Sequence, residues 1–190
     1  MTKPVTAQKN FHIMEYKVII IIILTGLGIF YFNKAKAQYT KTASCENVDF
    51  DKKVDQYISF SAPVIDVKEA FKNKSSYIFL DAREASEYNI SHIKDALFVG
   101  YDNFDKNKLK NIPKDQPIIV YCSIGYRSEK IAVKLRKSGF QKVYNLYGSI
   151  FEWVNQGHPV YSHNKEIKKV HTYNKKWSKW MMNKNYQPVY

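Results

Sequence analysis

The chain has 190 residues, 45% of them hydrophobic and 15% aromatic, enough for one packed domain with attachments and too many for an intrinsically disordered protein. Its formal charge of +13 is carried almost wholly by lysine, since Arg83, Arg127 and Arg136 are the only arginines; with no basic reading helix, this is a solvated lysine coat and nucleic acid is not an expected partner. Two cysteines exclude a disulfide scaffold, and without a Cys-x-x-Cys pair neither a metal nor a cofactor is expected.

Lys17 opens an uncharged apolar run from Val18 to Phe32. That length is at the top of the range for a signal-peptide core and short of the roughly 20 residues that span a bilayer. Ala35-Lys36-Ala37 places small residues at −3 and −1 of a cleavage site, which would leave Gln38 first. Residues 1–37 therefore read as a cleaved signal peptide or an uncleaved membrane anchor. A buried core helix is the third reading, and the run lacks the amphipathic period one would show. Lysines flank the run on both sides, so charge leaves an anchor's orientation open. Both leading readings export the remainder, to a bacterial periplasm or to a membrane facing it.

Residues 38–54 are polar and unpatterned and read as a tether. Tyr57 to Ile65 alternates weakly around Pro63, as an edge strand or extended lead-in would. Asp66 then caps a short helix with Val67 and Phe71 on one face. "YIFLD" (77–81) and "QPIIVYC" (116–122) are apolar runs of the kind buried on both faces of a sheet, with "ALFVG" (96–100) and "KVYNL" (142–146) as further strands. Between them, "REASEYNI", a lysine-rich turn near Phe104 to Leu109, and Ser128 to Ser138 read as helical, the last stopped by Gly139; "SIFEWVNQG" (149–157) closes the series as a helix. Strands alternating with helices predict an α/β domain over 55–162, with a mainly parallel five-stranded sheet flanked by helices. The remainder, 163–190, is a basic aromatic extension carrying Trp177, Trp180, Met181 and Met182. Its composition suits either a membrane surface or, the reading we favour, folding back over the domain.

The chemistry concentrates at "YCSIGYRS". Ligands of open α/β sheets sit beyond the carboxyl ends of strands, and Cys122 falls there. Gly125 lets the loop curl so that its N–H groups turn inward, and the following helix adds its positive end. Such a loop stabilises a thiolate and receives an anion, as a cysteine nucleophile requires. The plainer alternative is an inert core cysteine, which would gain nothing from a neighbouring glycine, two serines and a guanidinium.

At this point the sequence resembles a single-domain rhodanese, a sulfurtransferase, over about Val64 to Pro159. "DAREASEYNISHIKDA" (81–96) is similar to the family's D-x-R-x-x-x-E-[FY]-x-x-x-H-I motif through Asp81, Arg83, Glu87, Tyr88, His92 and Ile93. "YCSIGYRS" resembles its active-site loop with Cys122 at the nucleophile position, and "LYGSIFEW" (146–153) its closing L-x-G-G-x-x-x-W element. Ser91, Lys94 and Asp95 stand where the family often has glycine, proline and glycine, and Ser149 replaces a usual glycine. The resemblance implies a rhodanese-like fold and a persulfide relay. Cys122 would take a sulfane sulfur from a small anionic donor such as thiosulfate and pass it to a thiol or cyanide acceptor. Ser123, Ile124, Gly125, Tyr126 and Arg127 would bind the donor, Arg127 being either its orienter or a structural ion pair. Asp81 and Arg83 would form a buried bridge, and His92 would be a hydrogen-bonded structural histidine. A monomer is expected.

Two rival functions differ in class. Phosphatases and arsenate reductases of related fold use C-x5-R, whereas Cys122 and Arg127 enclose four residues, a narrower cradle than a tetrahedral phosphate needs. A non-catalytic binding module at the membrane would be indifferent to loss of Cys122. If exported, Cys45 would have the option of a disulfide with Cys122.

Overall fold

The computed structural model describes residues 39–190. The expected export or anchor segment, 1–37, lies outside the described residues. Among the described residues, no helix is long and apolar enough to cross a membrane.

Five short strands form the central sheet: β1 (Val64–Ile65), β2 (Ile78–Asp81), β3 (Leu97–Phe98), β4 (Ile118–Tyr121) and β5 (Val143–Leu146). Their order is β1-β5-β4-β2-β3 and every pairing is parallel. β4 lies in the middle and is buried along its whole length. Its side chains alternate: Ile118 and Val120 pack with Leu80, Ile131 and Leu135, while Ile119 and Tyr121 pack with Phe79, Val67 and Trp153. This two-sided cover explains why β2 and β4 read as continuous apolar runs.

Helix α2 (Val67–Lys72) starts where the Asp66 carboxylate accepts the Glu69 N–H at 2.7 Å. α3 (Ala85–Ile90) follows β2, and α4 (Tyr126–Lys137) follows β4 and lies against the Leu80 face. Gly139, at φ +92°, ends α4, as its position in the sequence predicts. α5 (Ser149–Asn155) lies on the opposite face, its Trp153 indole donating to Pro159 O at 2.9 Å.

The segment read as a tether is a correction. Residues 48–55 form α1 (Val48–Asp55), capped by Asn47, with Phe50 and Val54 fully buried one helical turn apart. Lys41 pairs with Asp51 at 2.6 Å and Asp55 at 2.8 Å, and the Tyr147 hydroxyl donates to Asp55 at 2.6 Å. Two apolar side chains on one helix face are enough to seat a stretch whose average composition is polar. Residues 39–190 form one compact unit. The expected strand over 57–65 shrinks to Val64–Ile65, because Phe60 at φ +51° breaks the extended path.

The end of the chain lies on this frame. β6 (Val160–Ser162) and β7 (Lys165–Ile167) form a hairpin, and β8 (Lys169–His171) pairs in parallel with β9 (Gln187–Val189). Between β8 and β9, the turn of helix α6 (Lys175–Ser178) leads to Trp180, which stacks on Phe50 with centroids 5.7 Å apart. Val170, Met181 and Tyr186 are buried.

Candidate active site

β2 and β4 end in register, Asp81 opposite Tyr121, so the loops leaving both strands open at one edge of the sheet. Cys122 is the first residue past β4 and is only 1% exposed. The loop beyond it is tied to α5 through its backbone: Ile150 N–H donates to Cys122 O and Phe151 N–H to Ser123 O, each at 3.2 Å. The Cys122 N–H donates to Ser149 Oγ at 3.1 Å. Gly125 turns the chain at φ +118° and points its N–H at Cys122 Sγ, 3.2 Å away. A residue with a side chain is strained at that φ, and its Cβ would displace Ile58 Cδ1, which it would meet at 2.7 Å.

Around the sulfur the donors converge from the start of α4. Ser128 Oγ lies 3.5 Å from Sγ and 2.6 Å from Asn145 Oδ1, and Asn145 donates back to Gly125 O at 3.0 Å. Burial by itself would push the Cys122 thiol up. The Arg127 guanidinium, with the Ser128 and Gly125 donors, outweighs it and holds the thiol below its ordinary value.

Arg127 is held by a residue that the site reading left out. Its Nη1 and Nη2 donate to Glu87 Oε2 and Oε1 at 2.6 and 2.8 Å, and Nη2 also donates to Ser123 Oγ at 3.0 Å. Glu87, on α3 and 2% exposed, further accepts the Ser123 hydroxyl at 3.2 Å and the Glu84 N–H at 2.9 Å. Burial would raise this carboxyl, but the Arg127 guanidinium overrides it and keeps Glu87 below the usual carboxylate range. The Asp81–Arg83 pair is fully buried at 2.7 Å, and Arg83 also donates to Ser91 O. Two cation–carboxylate pairs therefore lie behind the thiol, one sealed inside the fold and one at its edge. Among the described residues, no group of three or more His, Cys, Asp or Glu is placed to hold a metal ion.

Residues 64–156 match the family model described as a rhodanese-like domain. The chain contains a rhodanese-like domain. The match ends before β6, so the rhodanese-like domain is flanked by α1 on one side and by 157–190 on the other. Over 92 residues it is 36% identical to a tRNA uridine(34) hydroxylase of Cronobacter sakazakii, covering 44% of this chain and 26% of that protein. The protein of that name from Onion yellows phytoplasma is 33% identical over 126 residues, 63% of this chain and 39% of its own length. The chain thus spans between a quarter and two-fifths of these relatives. Among solved structures, a rhodanese-like domain from Anabaena sp. superposes with a TM-score of 0.49 at 24% identity, over 53% of this chain and 80% of that one. A thiosulfate sulfurtransferase from Pseudomonas aeruginosa gives 0.48 at 18% identity, over 55% and 21%.

Within the rhodanese-like domain, the expected loop residues have different places. Gly125 and Arg127 act on the sulfur, by a hydrogen bond and by charge. Ser123 turns its hydroxyl to Glu87 and Arg127, Ile124 is buried, and Tyr126 is 43% exposed at the start of α4. His92 lies 4.0 Å from Tyr88 in a ring stack, with Nδ1 3.0 Å from Tyr88 O, and its backbone bridges to Tyr161. Cys45 and Cys122 are both free. The Cys45 sulfur lies where a Cβ on Gly148 would reach it at 2.7 Å; its own burial, and then the Glu152 charge, push the thiol strongly up. Glu87, Ser128 and Ser149 stood in the quoted motifs without these contacts being foreseen, and Asn145 carried no signal of its own. Two of the three glycine substitutions have a structural counterpart, whereas Ser91 is extended. Asp95 and Ser149 adopt φ +59° and +52°, conformations glycine enters freely, and Ser149 is held there by donating to Leu146 O at 3.0 Å.

Proposed function

We propose that the domain is a sulfurtransferase that carries a sulfane sulfur on Cys122. The observation behind this reading is a buried thiol held below its ordinary pKa at a strand end, with the Gly125 N–H aimed at its sulfur. The thiolate attacks the outer sulfur of thiosulfate or a similar donor; the S–S bond of the donor breaks and sulfite leaves with the electron pair. The product is a Cys122 persulfide, whose negative charge the loop donors receive as they received the thiolate. An acceptor thiolate or cyanide then attacks the terminal sulfur, and Cys122 leaves as thiolate. Glu87 and Ser123 engage three of the five Arg127 N–H donors, and the others serve to orient the donor's oxygens. The tRNA chemistry in the relatives' names is not proposed for a chain that carries so small a part of them. Export of the domain and its action as a monomer belong to the same proposal.

The test is the intact mass of the reduced chain after mixing with thiosulfate, beside Cys122→Ala. Gain of one sulfur by the wild type alone supports the relay. No gain by the folded, reduced wild type removes thiosulfate as donor and turns attention to a binding module, which should retain its partner in Cys122→Ser.

A further inference from the structure

The extension beyond the family match reaches the sulfur site. β8 runs along α3, the helix that carries Glu87, and the chain then turns sharply through His171 to Asn174. At the turn, Tyr173 sits at φ +65°, a left-handed conformation that a residue with a side chain enters at a cost. The turn is fixed from both sides. Tyr173 N–H donates to His171 Nδ1 at 3.0 Å, Asn174 N–H to Thr172 O at 2.7 Å, and the fully buried Thr172 donates its N–H to Val189 O at 2.7 Å. Asn174 then caps α6 by accepting the Trp177 N–H at 3.2 Å.

This fixed, strained backbone does not serve to bury the tyrosine, which remains 59% exposed. What it does is set the ring over Arg127, with the guanidinium carbon 5.7 Å from the ring centroid. Glu87 and Ser123 hold the guanidinium by its edge, so the ring covers a face that those partners leave to water. We propose that Tyr173 is a positioning residue of the sulfur site: its ring shields Arg127 from solvent and so keeps the guanidinium's charge effective on the Cys122 thiolate. A charge kept from water acts more strongly on its neighbour than a solvated one. The extension thereby becomes part of the reactive site, which deepens the sulfurtransferase reading and takes its significance from it.

The experiment is the rate of Cys122 alkylation by iodoacetamide across pH, read on the Cys122 peptide of the full chain. The variants are Tyr173→Gly and Tyr173→Phe. Glycine suits φ +65°, so the first removes the ring without new backbone strain, and an undiminished urea midpoint verifies that the fold is intact. Loss of the ring should slow alkylation about two- to fivefold below the thiol's pKa and leave the limiting rate at high pH unchanged. Tyr173→Phe should follow the wild type. A Tyr173→Gly profile superimposable on the wild type, or one lowered equally at every pH, overturns the proposal, as does the same loss in Tyr173→Phe. Because alkylation needs no sulfur donor, a wild type that takes no sulfur from thiosulfate while its profile shifts on loss of the ring would count against the sulfurtransferase reading with that donor and leave Tyr173 in this role.

Discussion

Replacing Glu87 by glutamine should weaken the fold and sharpen the thiol together. The carboxylate is 2% exposed and receives two Arg127 donors at 2.6 and 2.8 Å, with Ser123 and Glu84 completing its shell. Removing one partner of a buried pair leaves the other charge uncompensated, at a cost of roughly 3–5 kcal/mol. Arg127 keeps 14% of its side chain in water, so the lower end applies, about 3 kcal/mol. For a unit of this size that lowers Tm by roughly 6–12 °C. The carboxylate also opposes the guanidinium that favours the thiolate. With it gone, Cys122 should alkylate about three- to tenfold faster at pH values below its pKa. The pH dependence follows from the same pair. Glu87 is depressed in the folded state, so its stabilisation is complete above the ordinary carboxylate pKa of about 4.3 and is lost as pH falls through the depressed value. Urea titrations at pH 7 and in acid, beside iodoacetamide rates, measure both effects. A variant of unchanged urea midpoint, or one that alkylates more slowly, would refute the reasoning.

Arg127→Gln acts in the opposite direction on the sulfur: the thiol should rise and alkylation near neutral pH fall at least threefold, with the high-pH limit retained. Gly148→Ala would set a Cβ 2.6 Å from Glu152 Cβ and 2.7 Å from Cys45 Sγ at φ +68°; a loss of about 2 kcal/mol or more in urea is expected. Glu152 is buried, with Oε2 unpartnered and its carboxyl pushed up by that burial. The folded protein therefore holds its proton longer than the unfolded chain, and this group's contribution to stability declines as pH rises past the ordinary carboxylate range. Glu152→Gln should remove that slope and gain about 1 kcal/mol at pH 7, measured by urea midpoints at pH 5 and 7; a lower midpoint at pH 7 would contradict it.

The sheet was legible because its central strands are apolar without interruption, and a strand covered on both faces leaves no other pattern. The surroundings of Cys122 were legible because Gly125 and Arg127, three and five residues on, follow it in one short loop, and their N–H and charge do bear on its sulfur. The Glu87–Arg127 clamp joins residues 40 apart, and spacing alone gives no sign of such a pairing; only the motif singled out Glu87. α1 escaped because Phe50 and Val54 are isolated apolar residues in a polar stretch, and the rings that stack on Phe50, Phe151 and Trp180, arrive from far along the chain. β8 and β9 are three residues each and recognise one another across the intervening α6, so neither carries a local signature.

The backbone ties between the thiol loop and α5 have a mechanical consequence. Carbonyls of Cys122 and Ser123 are fixed to the first turn of α5, and Glu152, in the same turn, accepts the Glu46 N–H at 2.8 Å. The stretch leading into α1, the helix α5 and Cys122 are thus linked in series, like segments of one lever. A pull on the chain ahead of α1 has a direct path through Glu152 to the sulfur, whereas a pull on α4 meets first the clamp on Arg127.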